Sequence, residues 1–244
     1  IIENGYGYEV DGNIYFDVDR FVEDYPYGEM ANKDIEQLKE EAESRVKEDD
    51  KKKNQYDFAL WLNAEGSGHL MKWESPWSTG YPGWHLECSV MGQKYLGDEF
   101  DIHAGGKDHI FPHHPNGRAQ CFAATGEGQA RYWLHNEFIT VEGERMSKSK
   151  GNFYTVRDLL DKGFSGDVIR LYLVSSHYRS ETDFSMEGLE KAQKELKRVR
   201  RLIQKTGVPE TDEIGENMQE HFEDLMDDDL GTAKAKQYLM ETVS

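Results

Sequence analysis

The chain has 244 residues and a formal net charge of −18, with 29 Lys and Arg against 47 Asp and Glu. That length suits one large domain or two smaller ones around a sizeable core, and the charge excludes a surface that grips nucleic acid uniformly, so any RNA contact must be local. No stretch reaches the ~18 uninterrupted apolar residues of a membrane span: Arg170 breaks even the best candidate, Val168 to Val174, and no signal peptide is visible.

The chain opens Ile1-Ile2-Glu3 with no initiator Met and stops at Ser244 shortly after a helical pattern begins, so both ends are expected to be cuts. Asn13 to Val18 alternates apolar and polar side chains after the turn pair Asp11-Gly12, which predicts a strand entered from a tight hairpin in a small insertion subdomain. Asp34 offers a helix N-cap with Gln37 three residues on, and Ile35, Leu38, Ala42 and Val46 follow at helical spacing. Residues 49–55 are a charged run, expected as a solvated loop. From Asp57 the composition changes. Phe58, Trp61, Trp73, Trp77 and Trp84 crowd into a span that also carries Pro76, Gly80, Pro82 and Gly83, suited either to the loop-rich floor of a site or to an aromatic core.

Phe100 to His103 predicts a short strand ending in Ala104-Gly105-Gly106, and Pro115 suits the first turn of a helix running to Gly126. Strand, glycine turn and helix in that order predict a doubly wound α/β sheet. Phe138 to Val141 supplies another strand, followed by a polar loop from Gly143 to Gly151. Leu189, Leu196, Val199, Leu202 and Ile203 then trace one face of a helix capped by Ser185.

The segment Glu144-Arg145-Met146-Ser147-Lys148-Ser149-Lys150-Gly151-Asn152 sets three cations and two hydroxyls in one loop of an acidic chain. It reads as a solvated surface loop or as a device for handling polyanions, in which Lys148 follows charge building on a reacting triphosphate. Cys88 and Cys121, in a chain without an export signal, imply reduced thiols in the cytosol, either buried as apolar groups or free for metal or substrate chemistry. Lys191, Lys194, Lys197, Arg198, Arg200, Arg201 and Lys205 crowd one helix, as a wet face or as a local anion-binding stripe.

That loop resembles the KMSKS signature of class I aminoacyl-tRNA synthetases, with Arg145 in place of the first lysine and Lys148 retained as the second. The surrounding residues resemble the cysteine-specific members of the class, in order along nearly the whole chain. They are Tyr56-Asp57-Phe58-Ala59-Leu60-Trp61, Trp73-Glu74-Ser75-Pro76-Trp77, Pro82-Gly83-Trp84-His85-Leu86-Glu87-Cys88-Ser89, Asp101-Ile102-His103, Phe111-Pro112-His113-His114, Ala130-Arg131-Tyr132-Trp133-Leu134-His135-Asn136 and Ser176-His177-Tyr178-Arg179-Ser180. The resemblance implies an α/β fold: the second half of a class I Rossmann-like catalytic domain, with a partial connective insertion and C-terminal helices. It divides the chain into the insertion at 1–56, the half-domain with its KMSKS-type loop at 57–160, a stem-contact helical region at 161–207 and the start of a C-terminal helical domain at 208–244. The family's HIGH motif lies upstream of Ile1.

The implied activity is that of a cytoplasmic enzyme using ATP with Mg2+, cysteine, tRNA(Cys) and zinc. A soft metal that binds a thiolate separates cysteine from serine, which hydrogen bonding alone does poorly. Cys88 and His113 match two of the family's zinc ligands; the other cysteine lies upstream of Ile1, and Gly117 stands where the family has its glutamate ligand, leaving His114, Cys121 or water as substitutes. Trp84, four residues before Cys88 on an expected helix, would share its face and wall the substrate side chain, or pack as core. His103, Gly105, Gly106 and Asp108, with Arg145, Met146, Ser147, Lys148 and Ser149, are implied in adenylate and ATP binding, Lys148 being the catalytic member. Lys197, Arg198 and Arg201 are implied in tRNA contact, whereas His109 and His135 read as structural. Two other readings stand beside this one: a ligase that passes cysteine from the adenylate to an amino sugar, as in the mycothiol pathway, and a decayed RNA-binding paralogue, which Gly117 supports best.

Overall fold

Asp11 and Gly12 take left-handed φ values of 51° and 74°, the two-residue turn whose twist matches the strands it joins. It links β1 (Gly7–Val10) antiparallel to β2 (Asn13–Phe16), with Val10 opposite Asn13. A computed structural model of the chain describes residues 1–45, 49–207 and 216–242, which fall into two units, Ile1–His135 and Asn136–Ser244.

In the first unit β2 is an inner strand of an antiparallel sheet ordered β1-β2-β3-β4, where β3 is Phe58–Asn63 and β4 is Gly80–Pro82. Being inner, β2 is buried at all four positions, so the expected alternation does not appear. The strand also stops at Phe16 instead of Val18. Asp17 caps α1 (Val18–Val22) by accepting the Arg20 N–H at 3.1 Å, and the Val18 N–H goes to the Asp57 carboxylate at 3.0 Å.

Buried Asp57 also collects the Tyr8 hydroxyl at 2.8 Å and the Asn54 N–H at 3.1 Å, yet burial still raises its pKa. The charged run 49–55 is a loop, as expected, with Asp50, Lys51 and Lys53 exposed to solvent, and polar contacts tie it to β2 and to the α1 cap. Asp49 accepts the Tyr15 hydroxyl at 2.9 Å, and Lys53 pairs with Asp17 at 2.8 Å. The expected cap holds in α2 (Ile35–Arg45): Asp34 Oδ1 accepts the Gln37 N–H at 2.9 Å, and Gln37 Oε1 accepts the Asp34 N–H at 3.3 Å. Val46, assigned to the same helix face, lies outside the described residues.

Gly83 turns the chain from β4 toward α3 (Leu86–Leu96), donating its N–H to the Leu60 carbonyl at 2.8 Å. A Cβ there would sit inside the van der Waals surface of the Ala59 carbonyl oxygen. β5 (Glu99–Gly106), α4 (His113–Thr125) and β6 (Gln129–Asn136) follow, with β5 paired to β6 and α3 packed on α4. Strand and helix follow in the predicted order, but Gly105 and Gly106 end β5 itself and the turn is made by a single 3-10 turn at Lys107–His109; among the described residues this sheet is two strands wide. α4 starts two residues before Pro115, which takes its third position. Phe16, Phe21, Tyr27, Leu38 and Leu60 form one core with Phe111, Ala119 and Ala123, which fixes α4 against the antiparallel sheet.

In the second unit β7 (Ile139–Val141) pairs antiparallel with β8 (Glu144–Arg145) and parallel with β9 (Thr182–Phe184). α5 (Val156–Asp161) and α6 (Gly166–Leu173) pack with α7 (Met186–Thr206) around Leu159, Phe164, Val168, Phe184 and Leu189. Ser185 Oγ caps α7 by accepting the Gly188 N–H at 3.1 Å. Leu189 and Leu196 meet the core, but Leu202 and Ile203, read as the same buried face, are exposed because α7 outruns that core. α8 (Glu216–Asp227) and α9 (Thr232–Thr242) complete the unit. Asp229 between them pairs with Arg179 at 2.6 Å and accepts the Tyr178 hydroxyl at 2.6 Å, clasping two motifs 50 residues apart. No helix among the described residues is long and apolar enough to cross a membrane.

Gly83→Ala tests the backbone approach that launches α3. The added methyl forces β3 and β4 apart, so we expect a loss of about 1–3 kcal/mol, as for other overpacked sites, read from urea midpoints of the two proteins; equal midpoints would show that the approach is not tight.

Candidate active site

His85 forms the N-cap of α3 with φ 90°, a conformation rare for any residue with a side chain. That backbone aims its buried ring at α4. The Asn116 amide Nδ2 lies 3.1 Å from His85 Nε2, and an amide nitrogen can only donate, so His85 Nε2 accepts. The His85 proton therefore sits on Nδ1, which faces His113 Nδ1 at 2.6 Å. His113 must accept there, leaving its own proton on Nε2. Asn116 is held in this orientation by the Tyr27 hydroxyl, which donates to Oδ1.

The relay belongs to a larger ring cluster. Trp84 stacks on His85 at 4.6 Å and lies 5.2 Å from His113, and His109 is 4.8 Å from His113. His114 is 4.6 Å from His103 and 4.9 Å from Trp133, and its Nδ1 lies 2.7 Å from His135 Nε2. Burial, then the charges of neighbouring histidines, pushes His85 and His114 down to about 3. His103 and His113 shift the same way for the same reasons. These four rings are therefore neutral at physiological pH. His103 Nδ1 is buried without a hydrogen-bond partner among the described residues.

Trp84, His85 and Asp108 line one cavity of about 530 Å³ together with Tyr27, Tyr56 and Phe58. Trp84 precedes α3 instead of lying on it, so it does not share a helix face with Cys88 as expected; it is 64 % exposed and stacked on the relay. The space left by Gly105 is taken by rings, since a Cβ there would approach His114 Cε1 to 2.7 Å and His109 Nδ1 to 3.0 Å. His109 and His135, read as structural, join the cluster, and His85, Asn116 and Tyr27 carried no site assignment. The crowding of histidines between positions 85 and 135 was the available signal.

Cys88 lies half-buried in the first turn of α3, and desolvation followed by Glu87 raises its thiol pKa. Cys121 is fully buried and pushed up to about 11 by burial, so it stays a thiol. His114 is committed to His135. Neither is poised to replace a ligand at Gly117, and among the described residues no set of three or more His, Cys, Asp or Glu side chains is placed to hold a metal. With His113 protonated on Nε2 and accepting on Nδ1, the residues present do not by themselves fit a zinc ion.

In the second unit the β7–β8 hairpin turns at Glu142 and Gly143 (φ 56° and 73°) and feeds the loop Arg145–Ser149. Asn152 braces it: Oδ1 accepts the Ser147 N–H at 2.8 Å, and Nδ2 donates to the Arg145 carbonyl at 3.4 Å. Ser147 and Ser149 share a hydroxyl hydrogen bond at 2.8 Å, and Met146 is half-buried. Lys150 pairs with Glu144 at 2.9 Å, whereas Lys148 has no carboxylate partner among the described residues and rests 5.3 Å over the Phe153 ring. On α7, Arg200 pairs with Asp167, while Lys197, Arg198 and Arg201 are exposed.

The family profile for the tRNA synthetases class I (C) catalytic domain matches residues 1–194. A cysteine-tRNA ligase of Carboxydothermus hydrogenoformans is 49 % identical over 100 % of this chain and 52 % of its own length. One of Heliobacterium modesticaldum is 46 % identical over 99 % of the chain and 52 % of its own length. The chain thus spans about half the length of the curated relatives it matches. Among solved structures, the agnB2 LeuRS of Agrobacterium radiobacter K84, in a ternary complex with tRNA and LeuAMS, aligns with a TM-score of 0.54 and 18 % identity, covering 71 % of this chain and 29 % of that one. The likeness is one of fold.

The neutral rings give a pH prediction. Unfolded imidazoles bind protons below about pH 6.5, while the folded His85 and His114 resist them down to about 3. Their contribution is thus fully present above pH 6.5 and is lost as pH falls through that window, by up to about 1.4 kcal/mol per pH unit for each ring. Urea midpoints should drop between pH 7.5 and 5.5, before carboxylates titrate; a constant midpoint would mean that the folded rings take up protons as readily as the unfolded ones.

Proposed function

This chain belongs to the tRNA synthetases class I (C) catalytic-domain family, and we propose that it is the central part of a cytosolic cysteine-tRNA ligase. In this reading the cysteine carboxylate attacks the α-phosphorus of Mg2+-bound ATP, pyrophosphate departs, and the cysteinyl group passes from the adenylate to the terminal ribose of tRNA(Cys). The observation that carries the reading is Lys148: a cation without a carboxylate partner among the described residues, in an internally braced loop of a strongly acidic chain. Held ready, its ammonium meets charge that grows on the departing pyrophosphate and therefore acts on the rate. Arg145, Met146, Ser147 and Ser149 belong to the same loop and to the same role of ATP binding.

At the ring cluster, the unpaired Nδ1 of His103 supports a ligand-facing role for that residue, with Gly105, Gly106 and Asp108 completing the adenylate side. Trp84, beside the 530 Å³ cavity, walls the cysteine side chain. Cys88 and His113 match two of the family's zinc-ligand positions, and by themselves they do not hold the metal. Lys197, Arg198 and Arg201 offer tRNA phosphates a local basic stripe. Relatives that share the name cysteine-tRNA ligase across the whole chain favour tRNA over an amino sugar as acceptor.

In the complete protein, Lys148→Ala should slow cysteine-dependent pyrophosphate exchange by about 10²–10³-fold, the loss typical when one group stabilising a transition state is removed, with little change in the KM for cysteine. An unchanged exchange rate would sink the assignment. Reversing Lys197, Arg198 and Arg201 to Glu should leave exchange intact while weakening tRNA binding, and the difference should shrink as salt rises. Equal tRNA affinity in filter binding would make the stripe merely a wet face.

A further inference from the structure

Gly117 sits inside α4, where glycine costs roughly 1 kcal/mol relative to alanine. Its backbone does not explain it, because it lies in ordinary helical territory. A Cβ at Gly117 would have ordinary room, 3.6 Å from Ser89 Oγ and 3.8 Å from Gln129 Oε1. Against the same Gln129 amide lies a second helix-interior glycine, Gly92 of α3, whose Cβ would be 2.8 Å from Gln129 Nε2. The two glycines thus border a slot between α3 and α4, and the Gln129 amide fills it. Gln129 is 1 % exposed and donates from Nε2 to the Cys88 carbonyl at 3.2 Å. It enters from the start of β6 with φ 71°, a left-handed backbone that costs a residue with a Cβ about 1–2 kcal/mol.

We propose that the Gln129 amide occupies the place a carboxylate at position 117 would enter, so that a neutral wedge replaces the acidic ligand position beside Cys88, and Cys88 and His113 hold no zinc by themselves. The donor chemistry agrees. A glutamine amide bonded to a helix carbonyl offers a metal no charge, and both nitrogens of His113 are engaged or protonated while the relay runs from Asn116 through His85. Ligation at His113 Nε2 would require the proton to move to His113 Nδ1, the His85 proton to move to Nε2, and the Asn116 amide to turn over. Gly117 is thus one half of a matched pair with Gln129, and restoring glutamate at 117 alone meets a filled slot. The inference rests on the family's ligand position at 117 and not on tRNA charging, so its test reads metal binding alone.

Cobalt(II) is the probe, titrated into the 244-residue chain and read by the thiolate-to-cobalt absorption of Cys88. Gln129→Gly removes the wedge and suits the left-handed backbone, so loss of fold from that change is not expected. Wild type should show no thiolate band. Gly117→Glu should bind weakly, and Gly117→Glu with Gln129→Gly at least about tenfold more tightly, within the range seen when a ligand's supporting contacts change; Cys88→Ser in the double variant should abolish the band. If Gly117→Glu alone fails to fold, as near-ultraviolet circular dichroism reports, recovery by Gln129→Gly supports the proposal and failure to recover overturns it. Tight cobalt binding through Cys88 in wild type, or equal affinity with and without Gln129 on the Gly117→Glu background, would also overturn it.

Discussion

Two imidazole nitrogens 2.6 Å apart, Nδ1 of His85 and Nδ1 of His113, can share one proton and no more. With none the lone pairs repel, and with two the N–H groups collide. Asn116 chooses which ring donates, because its amide NH2 faces His85 Nε2, and Tyr27 sets the amide. The four members come from three different parts of the fold. His85 caps α3 after the Gly83 turn, Asn116 and His113 lie in the first turns of α4, and Tyr27 belongs to the aromatic core that ties α4 to the antiparallel sheet. The protonation state of the site is thus a consequence of core packing. A repacked Tyr27 would be felt at His113 through three hydrogen bonds, without any change in the residues that touch a ligand.

The second unit handles charge by local pairing. Lys150, Arg179, Arg200 and Lys234 are spent on Glu144, Asp229, Asp167 and Asp228. Lys148, Lys197 and Arg201 have no carboxylate partner among the described residues. In a chain of net charge −18 such cations stand out as places where phosphate meets attraction instead of repulsion. The clasp of Asp229 on Tyr178 and Arg179 adds a geometric link, since the clasp residues lead within a few positions into β9, the parallel partner of β7. Asp183 of β9 in turn accepts the Gly143 N–H at the hairpin turn that precedes Arg145.

Features set by neighbours in sequence were legible before any coordinates. Asp11-Gly12 signalled its hairpin, Asp34 with Gln37 its cap, Ser185 the start of α7, and the motif series the family. What sequence could not show depends on partners far along the chain. The end of β2 at Phe16 rests on Asp57, 39 residues beyond Val18, which takes the Val18 N–H. The burial of Leu202 and Ile203 failed because periodicity marks a face but not how far the packing partner extends. Trp84 was misplaced by a few residues, enough to move it from the Cys88 face to the histidine relay. Gly117 read as a missing ligand; its relation to Gly92 and Gln129 exists only once α3, α4 and β6 are assembled.

The state of the His85–His113 pair is open to direct observation by long-range 1H–15N correlation on the imidazole-labelled chain at pH 7. The account predicts two neutral rings of opposite tautomer, His85 carrying its proton on Nδ1 and His113 on Nε2, with an Asn116 side-chain amide proton correlated to His85. A cationic ring in either residue, or Nε2 protonation of His85, would contradict it.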